Sequence, residues 1–316
     1  MTRSVPAASA PLLDAGRLRL LREVQLRGSI AAAARIVGIT PSAVSQQLTA
    51  LERDVAMPLL ERSSRGVVLT GAGETLAAHA AALLDVLHAA NADLDRLAGS
   101  VAGPVRIASV ASAAATVVSA ALTRLRETAP DVDAFVTAAE PDRGIGMLLG
   151  GDAELAVVDE YDYVPLALPD GAVVCGLGDE PLVLVRAGDA GPHSPCGAQD
   201  GVALADLADA TWVMPPEDAA CGRAVRAACR TAGFEPRVRW QTDDMLLLVR
   251  AVAHGHGVAV LPSRSVPADA VGVRTQPLRA PGLRRRLLAV ARPAVAARPV
   301  VDAVLSALGD AAASGS

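Results

Sequence analysis

Residues 29–55 alternate apolar and polar positions with the period of a helix. At about 100° per residue, four aliphatic side chains share one stripe: Val44, Leu48, Leu51 and Val55. Polar side chains occupy the opposite stripe and its flank: Ser42, Ser45, Gln46, Thr49 and Arg53. The pattern predicts a helix with one face packed on a core and the other open to a partner.

Capping residues divide this segment into two helices. Ser29 is placed to cap the first helix, and Gly38 ends it. Thr40 and Pro41 start the second helix, because threonine supplies a capping oxygen and proline's missing N–H costs nothing there. Two helices joined by a tight turn indicate a helix-turn-helix whose polar face reads base edges. An ordinary amphipathic hairpin with a solvated outer face is the alternative that periodicity leaves open.

The segment after Val55 predicts a two-stranded wing. Residues 57–73 read MPLLERSSRGVVLTGAG, in which Arg62 and Arg65 surround a Ser-Ser-Arg-Gly turn. Arginines at such a tip are candidates for contacts with phosphates or a narrow minor groove. A DNA-binding domain is therefore predicted over residues 13–72. Its predicted DNA contacts are Thr40, Pro41, Ser42, Ser45, Gln46, Thr49, Arg53, Arg62 and Arg65.

An apolar stripe runs through residues 73–99 at spacings of 4, 3, 4, 3, 4 and 3. Its members are Leu76, Ala80, Leu83, Leu87, Ala90, Leu94 and Leu97. A period of 3.5 residues favours coiled pairing over packing on the helix's own domain. We predict a linker helix roughly 40 Å long through which two copies dimerise. The two helix-turn-helix units of such a dimer would then need DNA half-sites about one helical turn apart.

From residue 103 onward, strand and helix patterns alternate. Strands are predicted at 104–109, 131–138, 154–159, 181–187, 212–216, 236–241, 257–262 and 284–292. Helices are predicted at 113–126, 143–151, 218–232, 242–253 and 299–308. This alternation predicts a parallel sheet covered by helices.

The N-terminal region resembles the winged helix-turn-helix of LysR-type transcriptional regulators. The matching segments are GSIAAAARIVGITPSAVSQQLTALE and PLLERSSRGVVLTGAG, in this order and spacing. The chain has leucines at 20–21 and 59–60, where the family often has a phenylalanine, and Pro41-Ser42 where Gln-Pro is commoner. These exchanges keep the apolar character or the helix start. The expected fold is therefore unchanged, but the family's base preferences are not carried over to this chain.

Three later segments resemble the effector domain of the same family: DEPLVLV, TDDMLLLVRAVAHGHGVAVLP and RRLLAVARP. The resemblance implies an α+β multi-domain protein with a two-lobed α/β domain of the periplasmic-binding-protein type over 103–308. Lobe I is expected at about 103–180 plus 265–308, and lobe II at about 181–264. The resemblance also implies a homodimer or tetramer, double-stranded promoter DNA as a partner, a small-molecule effector, and RNA polymerase as a further contact.

Ligands of open α/β sheets lie beyond the carboxyl ends of the strands. The candidate effector residues at those positions are Ser109, Ser112, Glu140, Asp159, Tyr161, Pro215 and Thr242. Ser112 near a helix start could hold an anion or simply cap the helix. Carboxylates at 140 and 159 would favour an amine or hydroxyl-rich ligand, whereas many regulators of the family sense small carboxylates or amino acids. The effector therefore stays open.

Charge is divided unevenly along the 316 residues. The net charge is −5, yet residues 1–70 hold nine arginines against five acids. Positive potential is thus concentrated where the predicted reader lies, as nucleic-acid binding requires. The first dozen residues lack the apolar core of a signal peptide, so we expect a cytoplasmic protein with no membrane contact.

The remaining motifs carry weaker signals. Cys175, Cys196, Cys221 and Cys229 lack zinc-site spacing, and the last two leave open a redox role against plain burial. Two histidines, at 254 and 256, suit a turn better than a metal, and arginines 284–286 suit a strand with alternating exposure. No motif predicts a metal, a cofactor or catalysis. The rival class, an enzyme or solute-binding protein with an N-terminal adaptor, leaves the basic reader, wing and linker unexplained.

Overall fold

The computed structural model describes residues 13–63, 66–99, 101–188, 201–280 and 282–314. The chain divides into two compact units between residues 94 and 95. The first unit contains helices α1 (Ala15–Arg27), α2 (Ile30–Val37), α3 (Pro41–Val55) and most of α4 (Gly71–Ala98), with strands β1 (Leu60–Ser63) and β2 (Gly66–Leu69).

The first unit is a winged helix-turn-helix, as predicted. Its helices share one core with the base of the hairpin, and Val44, Leu48 and Leu51 bury the apolar stripe of α3 in it. Ala33 and Ala34 on α2 are also buried, because their small side chains allow neighbouring helices to approach closely. The hairpin β1–β2 is antiparallel.

A close backbone approach fixes the junction between the wing and α4. A Cβ atom added to Gly73 would lie 2.2 Å from the carbonyl oxygen of Leu59, so only glycine fits there. The Thr70 hydroxyl accepts a hydrogen bond from the Gly73 N–H (3.0 Å) and donates one to the Pro58 carbonyl (2.8 Å). These contacts set where α4 begins relative to the wing.

Among the described residues, the second unit contains nine strands and helices that pack on their faces. Its strands are β3 (Gly103–Ser109), β4 (Val132–Ala138), β5 (Leu155–Tyr161), β6 (Val173–Ala187), β7 (Thr211–Met214), β8 (Arg237–Gln241), β9 (Ala259–Pro262), β10 (Val273–Pro277) and β11 (Arg284–Ala291). Its helices are α5 (Ala111–Ala113), α6 (Ser119–Thr128), α7 (Pro141–Gly150), α8 (Ala220–Thr231), α9 (Met245–Ala253), α10 (Pro293–Ala296) and α11 (Pro299–Ser314). A π-helical segment, Ala114–Val118, joins α5 to α6, and 3₁₀ turns form at Leu204–Leu207 and Ser263–Ser265.

The main sheet is mixed, so the predicted parallel sheet is only partly right. Six strands follow the order β10-β6-β11-β5-β3-β4, and a seventh, β9, also pairs with β6. Strand β3 runs parallel to β4 and β5, whereas β11 is antiparallel to both β5 and β6. A separate parallel pair joins β7 and β8. The long strand β6 carries the chain from lobe I into lobe II.

The lobe boundary lies later than the predicted residue 265. The first part of β6 pairs with β11 in lobe I, and its last part pairs with β9 and β10 in lobe II. Val266 and Val273 lie in the same core as Val185 and the helix α9. Lobe II therefore extends through β10, a strand that the periodicity did not predict, and the chain returns to lobe I at β11. Within the described ranges, no helix is long and apolar enough to span a bilayer.

Candidate functional site

The outer face of α3 presents the polar positions that the sequence predicted. The Thr40 hydroxyl accepts a hydrogen bond from the Ala43 N–H (3.2 Å), and Pro41 occupies the first turn. All seven predicted positions on and before α3 are exposed: Thr40, Pro41, Ser42, Ser45, Gln46, Thr49 and Arg53. The helix thus offers short hydrogen-bonding groups on a face that the unit's own core does not use.

Two side chains that the sequence did not single out hold α3 in place. The Glu52 carboxylate accepts hydrogen bonds from the backbone N–H groups of Leu59 (2.8 Å) and Leu60 (3.2 Å), which ties α3 to the start of the wing. Arg17 on α1 donates from Nε to the Gln47 amide oxygen (3.0 Å). Glu52 could be recognised only once the wing was known to fold back onto the end of α3.

Of the two wing arginines, the structure describes only the backbone of Arg62. The backbone of Arg62 lies in β1. Arg65 lies outside the residues that the structure describes, so its predicted phosphate contact remains a prediction.

The stripe on α4 changes its environment along the helix. Leu76 and Ala80 pack into the core of the first unit, where Ala80 is fully buried. From Leu83 onward the aliphatic side chains are uncovered, and the exposed fraction rises from 37% at Leu83 to 85% at Leu97. The part of the predicted apolar stripe that is open to a partner therefore begins at Leu83.

A cleft of about 820 Å³ lies between the two lobes of the second unit. Its lining includes charges of both signs: Glu140, Arg143, Asp243, Asp244 and Arg264. A recess of about 20 Å³, whose lining includes Glu140 and Asp243, is large enough for one water-sized group. The recess is also lined by Asp159, Tyr161, Pro215 and Cys221.

Five of the seven predicted effector residues line these cavities. Ser112 and Glu140 border both, and Asp159, Tyr161 and Pro215 border the recess. Ser109 does not, because it is buried and its hydroxyl donates to the Val110 carbonyl (3.0 Å). Thr242 is also absent from both linings, since its hydroxyl accepts from the Asp244 N–H (3.1 Å), and the next residue, Asp243, lines the cleft instead.

Ser112 is neither the helix cap nor a free anion ligand in this structure. Val110 occupies the cap position of α5 without a side-chain bond. The Ser112 hydroxyl instead accepts a hydrogen bond from Nη1 of Arg285 (2.7 Å). The π-helical segment follows directly, and Thr116 within it lines the cleft. Such segments are frequent at functional sites.

Arg285 is the central residue that the sequence prediction missed. It is 1% exposed and lies on β11 between Tyr161 of β5 and Glu180 of β6. Its guanidinium forms ion pairs with Asp159 (3.0 Å) and Glu180 (2.6 Å). Burial disfavours its charged form, but Tyr161 and the two carboxylates outweigh burial and raise the pKa of Arg285 above its ordinary value. Alternating exposure along 284–286 is confirmed, and its buried middle position carries the charge.

The Arg285 cluster also joins the two lobes. The Glu180 carboxylate accepts hydrogen bonds from the Ser263 hydroxyl (3.1 Å) and the Arg264 N–H (2.8 Å), at the end of β9. The Tyr161 hydroxyl donates to the Asp159 carboxylate (2.8 Å), and burial raises the pKa of Tyr161 well above its ordinary value. The charges of Asp159, Glu180 and Arg285 next to the recess are therefore already paired.

Glu140 lines the cleft from lobe I and forms a hydrogen bond with lobe II. Its carboxylate accepts a hydrogen bond from the Ala220 N–H at the start of α8 (3.3 Å). Partial loss of hydration raises the pKa of Glu140, and the negative charges of Asp159 and Asp243 raise it further against the Ala220 hydrogen bond. A cationic group of a ligand would favour the ionised form of this carboxylate and be stabilised by it.

The two cysteines of α8 are poor nucleophiles in this structure. Burial raises the pKa of both the Cys221 and Cys229 thiols to about 12. Because the thiolate is the reactive form, only a very small fraction of either thiol is reactive at neutral pH. Cys196 lies outside the described residues.

A winged helix-turn-helix, a long helix with an open apolar stripe and a two-lobed domain around a cleft define a ligand-responsive DNA-binding regulator. Family-level sequence comparison agrees: residues 16–74 match the bacterial regulatory helix-turn-helix protein, lysR family, and residues 98–313 match the LysR substrate binding domain. The chain belongs to the LysR family of DNA-binding transcriptional regulators with an effector-binding domain.

Individual relatives and solved structures extend this result. The small neutral protease regulatory protein of Streptomyces coelicolor is 31% identical over 301 residues, which cover 93% of this chain and 92% of the relative. A probable hydrogen peroxide-inducible genes activator of Streptomyces viridosporus is 30% identical over 75% of this chain and 73% of its own. A full-length OxyR variant from Pseudomonas aeruginosa has the same fold, with a TM-score of 0.72 at 19% identity over 94% of this chain and 95% of that one.

Proposed function

We propose that this chain acts as a homo-oligomeric regulator that reads promoter DNA with α3 and the wing and changes transcription when a small effector enters the cleft. The exposed polar face of α3 carries this proposal. The surplus of arginines over acids in residues 1–70 supports it, since positive potential draws the reader to the phosphates. Catalysis has no part in the proposal, in keeping with relatives that are regulators. We place its action in the cytoplasm, in contact with RNA polymerase at the promoter.

In this proposal the residues of α3 and the wing have different roles. Side chains on the exposed face of α3 contact base edges: Ser42, Ser45, Gln46 and Thr49. Thr40 and Pro41 set the start of the helix at the DNA backbone. The arginines at 53, 62 and 65 contact phosphates, which position the protein without reading sequence.

Binding to DNA from upstream of the chain's own gene tests the reader. Specific binding should survive competitor DNA and weaken steeply as salt rises. Gln46→Ala should reduce discrimination between sites by about 1–3 kcal/mol. Gln47→Ala is the matched control, because Gln47 is the same residue type on the same helix but bonds to Arg17. It should leave discrimination between sites unchanged, even where loss of that bond weakens binding to all DNA. If the wild-type chain binds its own promoter no better than random fragments, the proposed reader is wrong.

The exposed part of the α4 stripe supports pairing between two copies. Leu83→Asp should dissociate the oligomer in sedimentation at low protein concentration and weaken operator binding, because a charge enters an apolar seam. Ala82→Asp, at an exposed position one residue earlier and off the stripe, should leave both properties unchanged. An oligomer that survives Leu83→Asp would place the interface elsewhere.

The mixed charge of the cleft supports an amino acid as the effector rather than a simple carboxylate. Its ammonium group would lie near Glu140 and Asp243, and its carboxylate near Arg143 and Arg264. A thermal-shift screen of amino acids against carboxylates tests this, since a ligand of the native state raises its stability. Glu140→Gln should abolish the shift, and Glu127→Gln on the exposed face of α6 should not. A shift from simple carboxylates that Glu140→Gln leaves intact would contradict the amino-acid assignment.

A further inference from the structure

A second cavity of about 470 Å³ lies along α8 and shares no lining residue with the effector cleft or its recess. Three arginines from one face of α8 line it: Arg223, Arg226 and Arg230. Glu217 and the segment 163–165 complete most of the wall. We call this cavity the arginine pocket.

Arg226 is buried in the wall of the arginine pocket, and its positive charge is only partly neutralised. It is 5% exposed, and its Nη1 donates to the backbone carbonyls of Pro215 (2.9 Å) and Gly222 (3.1 Å). Its Nη2 is buried and has no hydrogen-bond acceptor among the described residues. A buried polar group without a partner is costly, and a buried charge more so.

The carboxylate that faces Arg226 is a weak counter-charge. Glu217 lies 3.5 Å from Nε of Arg226, and its side chain is 80% exposed. An exposed carboxylate in this position contributes little, because water and salt screen it. Glu217 is therefore able to move away when a stronger anion arrives.

The two flanking arginines add charge on the same helical face. Arg223 donates from Nη1 to the backbone carbonyl of Asp218 (2.7 Å). This acceptor is uncharged, so the bond does not neutralise the charge of Arg223. Arg230 faces Glu235 at 3.6 Å, and both side chains are more than half exposed. The residues that line the pocket thus carry three positive charges against the single negative charge of Glu217.

We propose that the arginine pocket binds a doubly charged oxyanion of the phosphate or phosphate-monoester class, which displaces Glu217 from Arg226. Guanidinium groups donate paired N–H bonds that match the oxygens of phosphate. The anion would take the place of Glu217 beside Nε of Arg226 and would neutralise the arginine face. The site is separate from the proposed effector cleft, so it can be tested without DNA or effector.

The test is calorimetric titration of inorganic phosphate into the full chain at constant ionic strength, with chloride as the reference anion. Wild-type protein should bind one phosphate per chain saturably. Arg226→Met and Arg230→Gln should each weaken binding by about tenfold, because each removes a charge-assisted bond. Glu217→Gln should tighten binding several-fold, since it removes the competing carboxylate.

Two features keep this test decisive if Arg226→Met folds poorly. Arg230 and Glu217 are exposed, so their variants should fold normally and must shift affinity in opposite directions. Arg126→Gln, which removes an exposed arginine from α6, should leave affinity unchanged. No saturable phosphate binding, or binding that ignores both exposed substitutions, would overturn the proposal. Binding of succinate but not phosphate with the same variant pattern would overturn the phosphate class.

Discussion

Two arginines in the second unit are almost completely buried, yet their charges are neutralised in different ways. Arg285 is enclosed between two buried carboxylates at 2.6 and 3.0 Å. Arg226 has one carboxylate at 3.5 Å, and that carboxylate is mostly in solvent. Both guanidinium groups also bond to uncharged oxygens: Arg285 to the Ser112 hydroxyl, Arg226 to two backbone carbonyls.

The difference follows from the elements that supply the partners. Strands β5, β6 and β11 are held in register, so Asp159 and Glu180 cannot move away from Arg285. Glu217 precedes α8 outside any helix or strand, and nothing buries it. Burial of an arginine therefore does not distinguish a structural ion pair from a site open to a ligand, whereas the exposure of its counter-charge does.

The largest effect is expected from Glu180→Gln. Removing one partner of a buried ion pair leaves charge uncompensated and typically costs about 3–5 kcal/mol of unfolding free energy. Denaturant unfolding followed by fluorescence of the buried Trp212 measures the loss. Glu235→Gln, which breaks only the exposed contact with Arg230, is the control and should change stability by under about 0.5 kcal/mol. Equal stability of Glu180→Gln and wild type would show that the two arginines do not differ.

A smaller effect is expected from Arg226→Met. Methionine keeps the apolar packing, and the uncompensated charge is removed, so the loss should be limited to the two carbonyl hydrogen bonds, about 1–2 kcal/mol. The same unfolding measurement applies, in phosphate-free buffer. A loss as large as that of Glu180→Gln would mean that Glu217 neutralises Arg226 effectively, and the contrast between the two arginines would fail.

The smallest effect concerns the exposed neighbour of Arg285 on β11. A hydrogen bond from Arg286 lowers the pKa of Glu160 below its ordinary value of 4.5. Because the folded pKa is depressed, the stabilisation is present above pH 4.5 and disappears as the pH falls through the folded value. Arg286→Gln should therefore lower stability slightly near neutral pH and not at all in strong acid. A difference that persists at low pH would assign the effect to packing.

Local signals explain how much of the DNA-binding unit could be predicted from the sequence. The caps at Ser29 and Thr40, the turn at Gly38 and the buried stripe of α3 all depend on residues within a few positions of each other. Helix period and capping act over the same short range. The wing was predicted for the same reason, but the bond from Glu52 to the start of β1 was not, because it requires the hairpin to fold back.

The sequence alone determined the reader helix, the wing, the apolar stripe of α4 and the order of most strands, because each is encoded in a local pattern of neighbouring residues. Only the tertiary structure decided that Arg285 meets Asp159 and Glu180, which lie 126 and 105 residues away along the chain. It also decided that β6 crosses between lobes and that Arg226 lacks a buried counter-charge. Such contacts depend on sheet register and on which side chains are buried. A repeating pattern of neighbouring residues contains no information about either.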